Sequence, residues 1–117
     1  MIVMNKNNVL GKKELNKIKN IRNREGVIIH FDLDRITQAV HKSFLATSEG
    51  DGHESKEVAN KVFHKLLHIK NENKDKKFIP TVEIVQDFVE SELMSLGYHL
   101  TAKSYILYRS KRAELRR

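Results

Sequence analysis

At 117 residues and 13.6 kDa the chain has room for one hydrophobic core and not two, so we expect a single cooperative domain. A make-up of 39% hydrophobic and 32% charged residues, with five Gly and one Pro, excludes a fibrous or disordered polymer and reads as a helix-rich globular protein. The lack of Cys excludes disulfides, thiolate metal sites and cysteine nucleophiles and fits a reducing cytoplasm; a net charge of +7 favours an anionic partner such as nucleotide, nucleic acid, acidic protein or lipid surface.

Residues 1–16 are rich in Asn and Lys, and we set them apart as an amino-terminal extension before one domain over 17–117. The extension has only a short apolar start, and no later segment approaches the roughly 18 apolar residues of a spanning helix. We therefore expect neither secretion nor membrane insertion. Lys17 to Arg22 reads as an edge strand without a clean apolar face, and Asn23-Arg24-Glu25-Gly26 as a turn in which Gly26 takes φ > 0 without steric cost. Val27 to Phe31, with its run of β-branched residues, completes a hairpin.

Asp32 is a good N-cap for a helix through Thr47, whose inward stripe is Ile36, Ala39, Val40, Phe44 and Thr47. Ser48 to Gly52 reads as a flexible loop. A second helix, about Glu54 to Ile69, places Val58, Val62, Phe63 and Leu66 on one face, and the polar run Asn71 to Lys77 is an exposed loop. Phe78-Ile79 adds a short strand before Pro80. Thr81 then caps a third helix to about Leu96, with Val85, Phe88, Val89, Leu93 and Leu96 inward and Gly97 as its stop. The fourth helix starts near Leu100 and runs into the basic tail, with Ala102, Tyr105, Ile106 and Arg109 on one face. The expected class is α+β, mainly α: a four-helix bundle capped by a small three-stranded sheet.

Catalytic and metal chemistry has little support in this pattern. His64 and His68 are four apart on a helix, but HKLLH lacks the glutamate of HExxH, so they read as exposed histidines beside an apolar stripe. Neither GxxxxGK(S/T) nor GxGxxG occurs, so any nucleotide must be held by another geometry. Cations are plentiful: Lys17, Lys19, Arg22, Arg24 and Arg35 lie around the hairpin, and Lys103, Arg109, Lys111 and Arg112 lie on the last helix. If that helix packs beside the hairpin, these groups face one triphosphate.

Three blocks in order, IRNREGVIIHFDLDRITQAVHKSF, PTVEIVQDFVESELMSLGY and AKSYILYRSKR, carry a more specific signal. Together they resemble the ATP-cone domain, the regulatory nucleotide-binding module of ribonucleotide reductase large subunits, also found behind a zinc ribbon in a bacterial repressor of reductase genes. The resemblance implies four helices capped by a three-stranded sheet, with ATP or dATP as ligand, accompanied by Mg2+, between cap and helices. It also implies that Arg24, Gly26 and nearby backbone shape the phosphate side, Arg35 and Lys111 contact phosphates, Phe31 and Ile36 wall the base, and Thr81 and Gln86 lie nearby. The family's V-x-K-R-D-G has its lysine where this chain has Asn23, with Arg22 or Lys19 left to compensate.

The function so implied is a non-catalytic regulatory module that acts by nucleotide-dependent self-association or by docking on a reductase-type partner. Without Cys there is no zinc ribbon, so the expected chain is a stand-alone cone or an excised regulatory domain. The alternative is a small basic nucleic-acid-binding protein on a cone scaffold with a weakened nucleotide site. An enzyme is the third reading and has no side-chain constellation behind it.

Overall fold

The computed structural model describes residues 11–75 and 77–115. In chain order these form α1 (Lys12–Leu15), β1 (Asn20–Arg22), β2 (Ile28–His30), α2 (Leu33–Thr47), α3 (Gly52–Glu72), α4 (Val82–Ser95) and α5 (His99–Leu115). Most of the expected extension, residues 1–10, lies outside the described residues; its end carries the single turn α1.

The hairpin is shorter than expected: β1 begins at Asn20, β2 ends at His30, and the turn takes up Val27. Gly26 N donates to Asn23 O at 3.0 Å and Asn23 N to Val27 O at 2.9 Å, with Gly26 at φ 83. This is a three-residue loop ending in a left-handed residue, a geometry in which Gly avoids the Cβ clash. β1 and β2 then pair antiparallel, Ile21 opposite Ile29.

Among the described residues there are five helices rather than four, since α1 was not anticipated, and two strands rather than three. Phe78-Ile79 does not become a third strand: its segment meets β1 only through Arg22 N to Pro80 O at 2.9 Å and a single parallel bridge between Arg22 and Thr81. Pro80 has no N–H to extend the ladder, and Thr81 is already committed to starting a helix.

The starts of α2, α3 and α4 have local causes. The Asp32 carboxylate accepts from Asp34 N at α2, Asp51 accepts from His53 N at α3 while Glu54 reaches back to Asp51 N, and Thr81 Oγ1 accepts from Ile84 N at α4. The α3 cap lies earlier than the expected start because Asp51 and Glu54 form a capping box. α4 stops where Gly97 N donates to Met94 O and Tyr98 N to Leu93 O, with Gly97 at φ 89.

The long helices close a ring: α2 packs on α3 and α5, and α4 packs on the same two. Val40, Phe44, Val58, Val62, Phe63, Leu66, Val89 and Leu93 fill its centre, essentially without exposure. Phe44 meets Tyr98 edge-on at 5.0 Å, and Phe31 carries the hairpin's end onto Phe63 at 5.8 Å. Ile18 and Ile21 join the same core, which docks the hairpin on the helices. On α5 the inward side is Thr101, Ala102 and Tyr105; the expected Ile106 is 37% exposed.

Candidate functional site

Docking the hairpin over the helices leaves a cavity of about 430 Å³ between the turn, the start of α2, the start of α4 and the second half of α5. That volume is in the range of small-molecule sites. Its apolar wall comes from Phe31, Ile36, Val85, Tyr105 and Tyr108, and its cations are Arg24, Arg35 and Arg112. Glu25 and Asp32 also reach it, but Asp32 is engaged as the α2 cap. Burial pushes the Tyr105 phenol well above its ordinary value, so it remains a neutral hydroxyl.

Six of the expected site residues line this cavity: Asn23, Arg24, Phe31, Arg35, Ile36 and Gln86. The other four do not. Arg22 turns away, its Nη1 donating to Gly26 O at 2.7 Å. Gly26 shapes the turn, Thr81 caps α4, and Lys111 is exposed on α5 one residue before Arg112.

Asn23 has a job that residue type alone did not reveal. Its Oδ1 accepts from Glu25 N at 3.0 Å and from Val27 N at 2.9 Å, satisfying two amides that the sharp turn would otherwise leave open. A lysine has no acceptor and could satisfy neither.

Arg24 is also committed. Its Nη2 donates to Gln86 Oε1 at 3.1 Å and its Nη1 pairs with Glu83 Oε2 at 2.8 Å. The other oxygen of Glu83 takes Arg109 at 2.6 Å, and Arg109 further pairs with Asp87 at 2.9 Å and Glu90 at 2.6 Å. Burial draws the Arg109 pKa down, but the hydrogen bonds it donates to Glu83, Glu90 and Asp87 outweigh that and hold the pKa above the ordinary arginine value. Arg109 is thus the α4–α5 clamp and not a group facing the cavity, contrary to the expectation from charge alone. Lys17 and Lys19 also lie outside the cavity lining.

The family model of the ATP cone domain matches residues 19–114, which include every residue lining this cavity. The chain belongs to the ATP-cone family. Curated proteins similar to this cone include a vitamin B12-dependent ribonucleoside-diphosphate reductase of Thermoplasma acidophilum, 38% identical over 104 residues that cover 85% of this chain and 12% of the relative. The ribonucleoside-diphosphate reductase subunit alpha of Chlamydia trachomatis is 32% identical over 111 residues, covering 90% of this chain and 10% of the relative. A vitamin B12-dependent ribonucleoside-diphosphate reductase of Mycobacterium tuberculosis is 34% identical over 96 residues, with coverages of 82% and 13%. The cone therefore spans about a tenth of the length of these relatives.

Of the α5 residues at the cavity, Tyr105 is expected on the core face and Arg112 among the tail cations, while Tyr108 has no role in the sequence pattern above. The three nevertheless carry a helical signal: spacings of three and four put them on one face of α5, the face turned to the cavity. Among the described residues no group of three or more His, Cys, Asp or Glu is placed to hold a metal, and His64 and His68 are exposed. No helix among them is long and apolar enough to cross a membrane.

Proposed function

We propose that this cone binds an adenine nucleotide, ATP or dATP, in the hairpin cavity and serves as a non-catalytic regulatory module of a ribonucleotide reductase system. The observation that carries this reading is the meeting of Arg24, Arg35 and Arg112 with an aromatic wall in one cavity inside the family-matched stretch. Planar guanidinium groups suit phosphate oxygens, and Phe31, Tyr105 and Tyr108 offer π-faces to a base. In this reading Gln86 and the Asn23 side-chain amide add hydrogen bonds, while Arg22, Gly26 and Thr81 act indirectly by shaping the turn and the start of α4. Lys111 contributes charge from outside the lining. Mg2+ would accompany the triphosphate and offset its negative charge.

Regulation requires a difference in affinity between two states of the protein, since a ligand bound equally well in both shifts nothing. The Arg24–Glu83–Arg109 chain offers such a difference. A phosphate that draws Arg24 away frees one oxygen of Glu83 and leaves Arg109 to rebalance the α4–α5 clamp. The output is self-association or docking on a reductase-type partner, and the protein acts in the cytoplasm.

Calorimetric titration with ATP and dATP, alongside thermal melts, tests the reading. Micromolar or tighter binding with a raised Tm supports it; absence of both heat and thermal shift overturns it. Mass measurement with and without dATP then reads the change in assembly.

A further inference from the structure

Two groups of the cone's cations line two separate cavities. Arginines line the hairpin cavity, whereas Lys17, Lys19, Lys70 and Lys77 line a different groove of about 490 Å³ that shares no residue with that cavity. This groove runs between the segment entering β1, the last turn of α3 and the segment leading to Pro80. Its remaining lining is Asn16, Asn20 and an apolar floor that includes Ile18 and Phe78; no acidic residue lines it among the described residues. None of the four lysines has an ion pair among those residues. Lys65, Arg24 and Arg109, by contrast, each pair with a carboxylate.

From this juxtaposition we infer that the groove binds the phosphate chain of a single-stranded nucleic acid. Lysine ammonium groups act as point charges that follow a flexible backbone, whereas a carboxylate peptide would be better met by the planar fork of Arg, which the groove lacks. Phe78 is half-buried and stands outside the main core, so it has a face to offer a stacked base. The net charge of +7 attracts the same ligand at long range. This site is independent of the nucleotide cavity and of its proposed function.

The test is fluorescence anisotropy of the full chain with a labelled oligodeoxythymidine of about 16 nucleotides, which spans a typical single-strand site. Four phosphate contacts give a slope of log K on log salt of about −2.8, so affinity falls about 50-fold between about 50 and 200 mM salt. Each of Lys17→Gln, Lys19→Gln, Lys70→Gln and Lys77→Gln reduces the slope by about 0.7. Phe78→Ala weakens binding about tenfold with the slope unchanged, the mark of lost stacking. Saturating ATP leaves oligonucleotide binding intact. The inference is overturned if the quadruple lysine variant keeps its slope. It is equally overturned if replacing Lys42, Lys56, Lys61 and Lys103, exposed lysines elsewhere, reduces the slope as much. Displacement at equal charge by tripolyphosphate assigns the groove to free phosphate chains instead, and displacement by polyglutamate assigns it to acidic peptides; either outcome rejects the nucleic-acid assignment.

Discussion

Arg24, in the hairpin turn and lining the proposed nucleotide cavity, is paired at 2.8 Å with Glu83, in the first turn of α4. The pair is half-exposed, so its own contribution to stability is at most about 1 kcal/mol. Its effect on binding should be larger, because a phosphate must compete with Glu83 for the same guanidinium. We expect Arg24→Ala to lose a charge-assisted contact of about 1.5 to 3 kcal/mol, a ten- to hundredfold weaker Kd for ATP, with little change in Tm. Glu83→Gln should tighten ATP severalfold while lowering Tm, because it also loosens Arg109. Titration calorimetry and melts on both variants separate the effects; weaker binding in Glu83→Gln would reject the competition.

Asn23 yields a second pair of opposed effects. Asn23→Lys restores the cation of the family pattern and should tighten triphosphate binding by about tenfold. It also leaves the Glu25 and Val27 amides without their acceptor, at a cost of about 1 to 3 kcal/mol in the ligand-free protein. Asn23→Ala should show the same loss of stability without the gain in affinity. If Asn23→Lys is as stable as the parent, the turn does not depend on Oδ1.

These cases mark what the chain made legible. Asp32, Thr81 and Gly97 were readable as helix boundaries because a cap acts within a few residues of itself. The hairpin was readable for the same reason. The third strand was not, since whether Phe78-Ile79 joins β1 depends on where Pro80 and Thr81 meet Arg22 across the fold. Within the site, residue type could mark a surplus of cations but not their directions. Arg109 and Arg112 are three apart on α5, yet the first is held by carboxylates of α4 and the second lines the cavity. Asn23 looked like a missing charge because its hydrogen bonds run to backbone amides, which every residue has and no residue letter displays.

Glu49 presents the same limit in another place. It lies in the loop expected to be merely flexible, yet its Oε1 accepts from Thr101 N at 2.7 Å and from Thr101 Oγ1 at 2.6 Å, while Thr101 and Thr47 share a hydroxyl contact at 2.7 Å. It caps α5 from 52 residues away. The Thr101 hydroxyl, with the Thr101 and Leu100 amides, holds the Glu49 carboxyl below its ordinary value of 4.5. A carboxyl lowered on folding contributes stability above its unfolded pKa and loses that contribution as pH falls through the folded one. Glu49→Gln should therefore lower Tm by a few degrees near pH 7, with the gap to the parent closing below about pH 4. Melts across the acid range check it, and a gap that does not narrow as pH falls would rule out the charged cap.

The aromatic wall offers the sharpest separation of binding from folding. Tyr105 is 5% exposed and belongs to the core, whereas Tyr108 is 36% exposed beside it, with ring centroids 6.2 Å apart. Tyr105→Ala should destabilise the protein by roughly 3 to 5 kcal/mol, the usual cost of removing a buried aromatic, and any loss of affinity will be entangled with that. Tyr108→Ala removes a ring that the core does not need, so Tm should hold within about 2 °C. If Tyr108 stacks on the adenine, the same change weakens ATP and dATP alike by about ten- to hundredfold, because both carry the same base. Tyr108→Phe keeps the π-face and should bind as the parent does. A Tyr108→Ala protein with undiminished affinity would move the base to the Phe31 and Ile36 side of the cavity, where Phe31→Leu becomes the informative substitution.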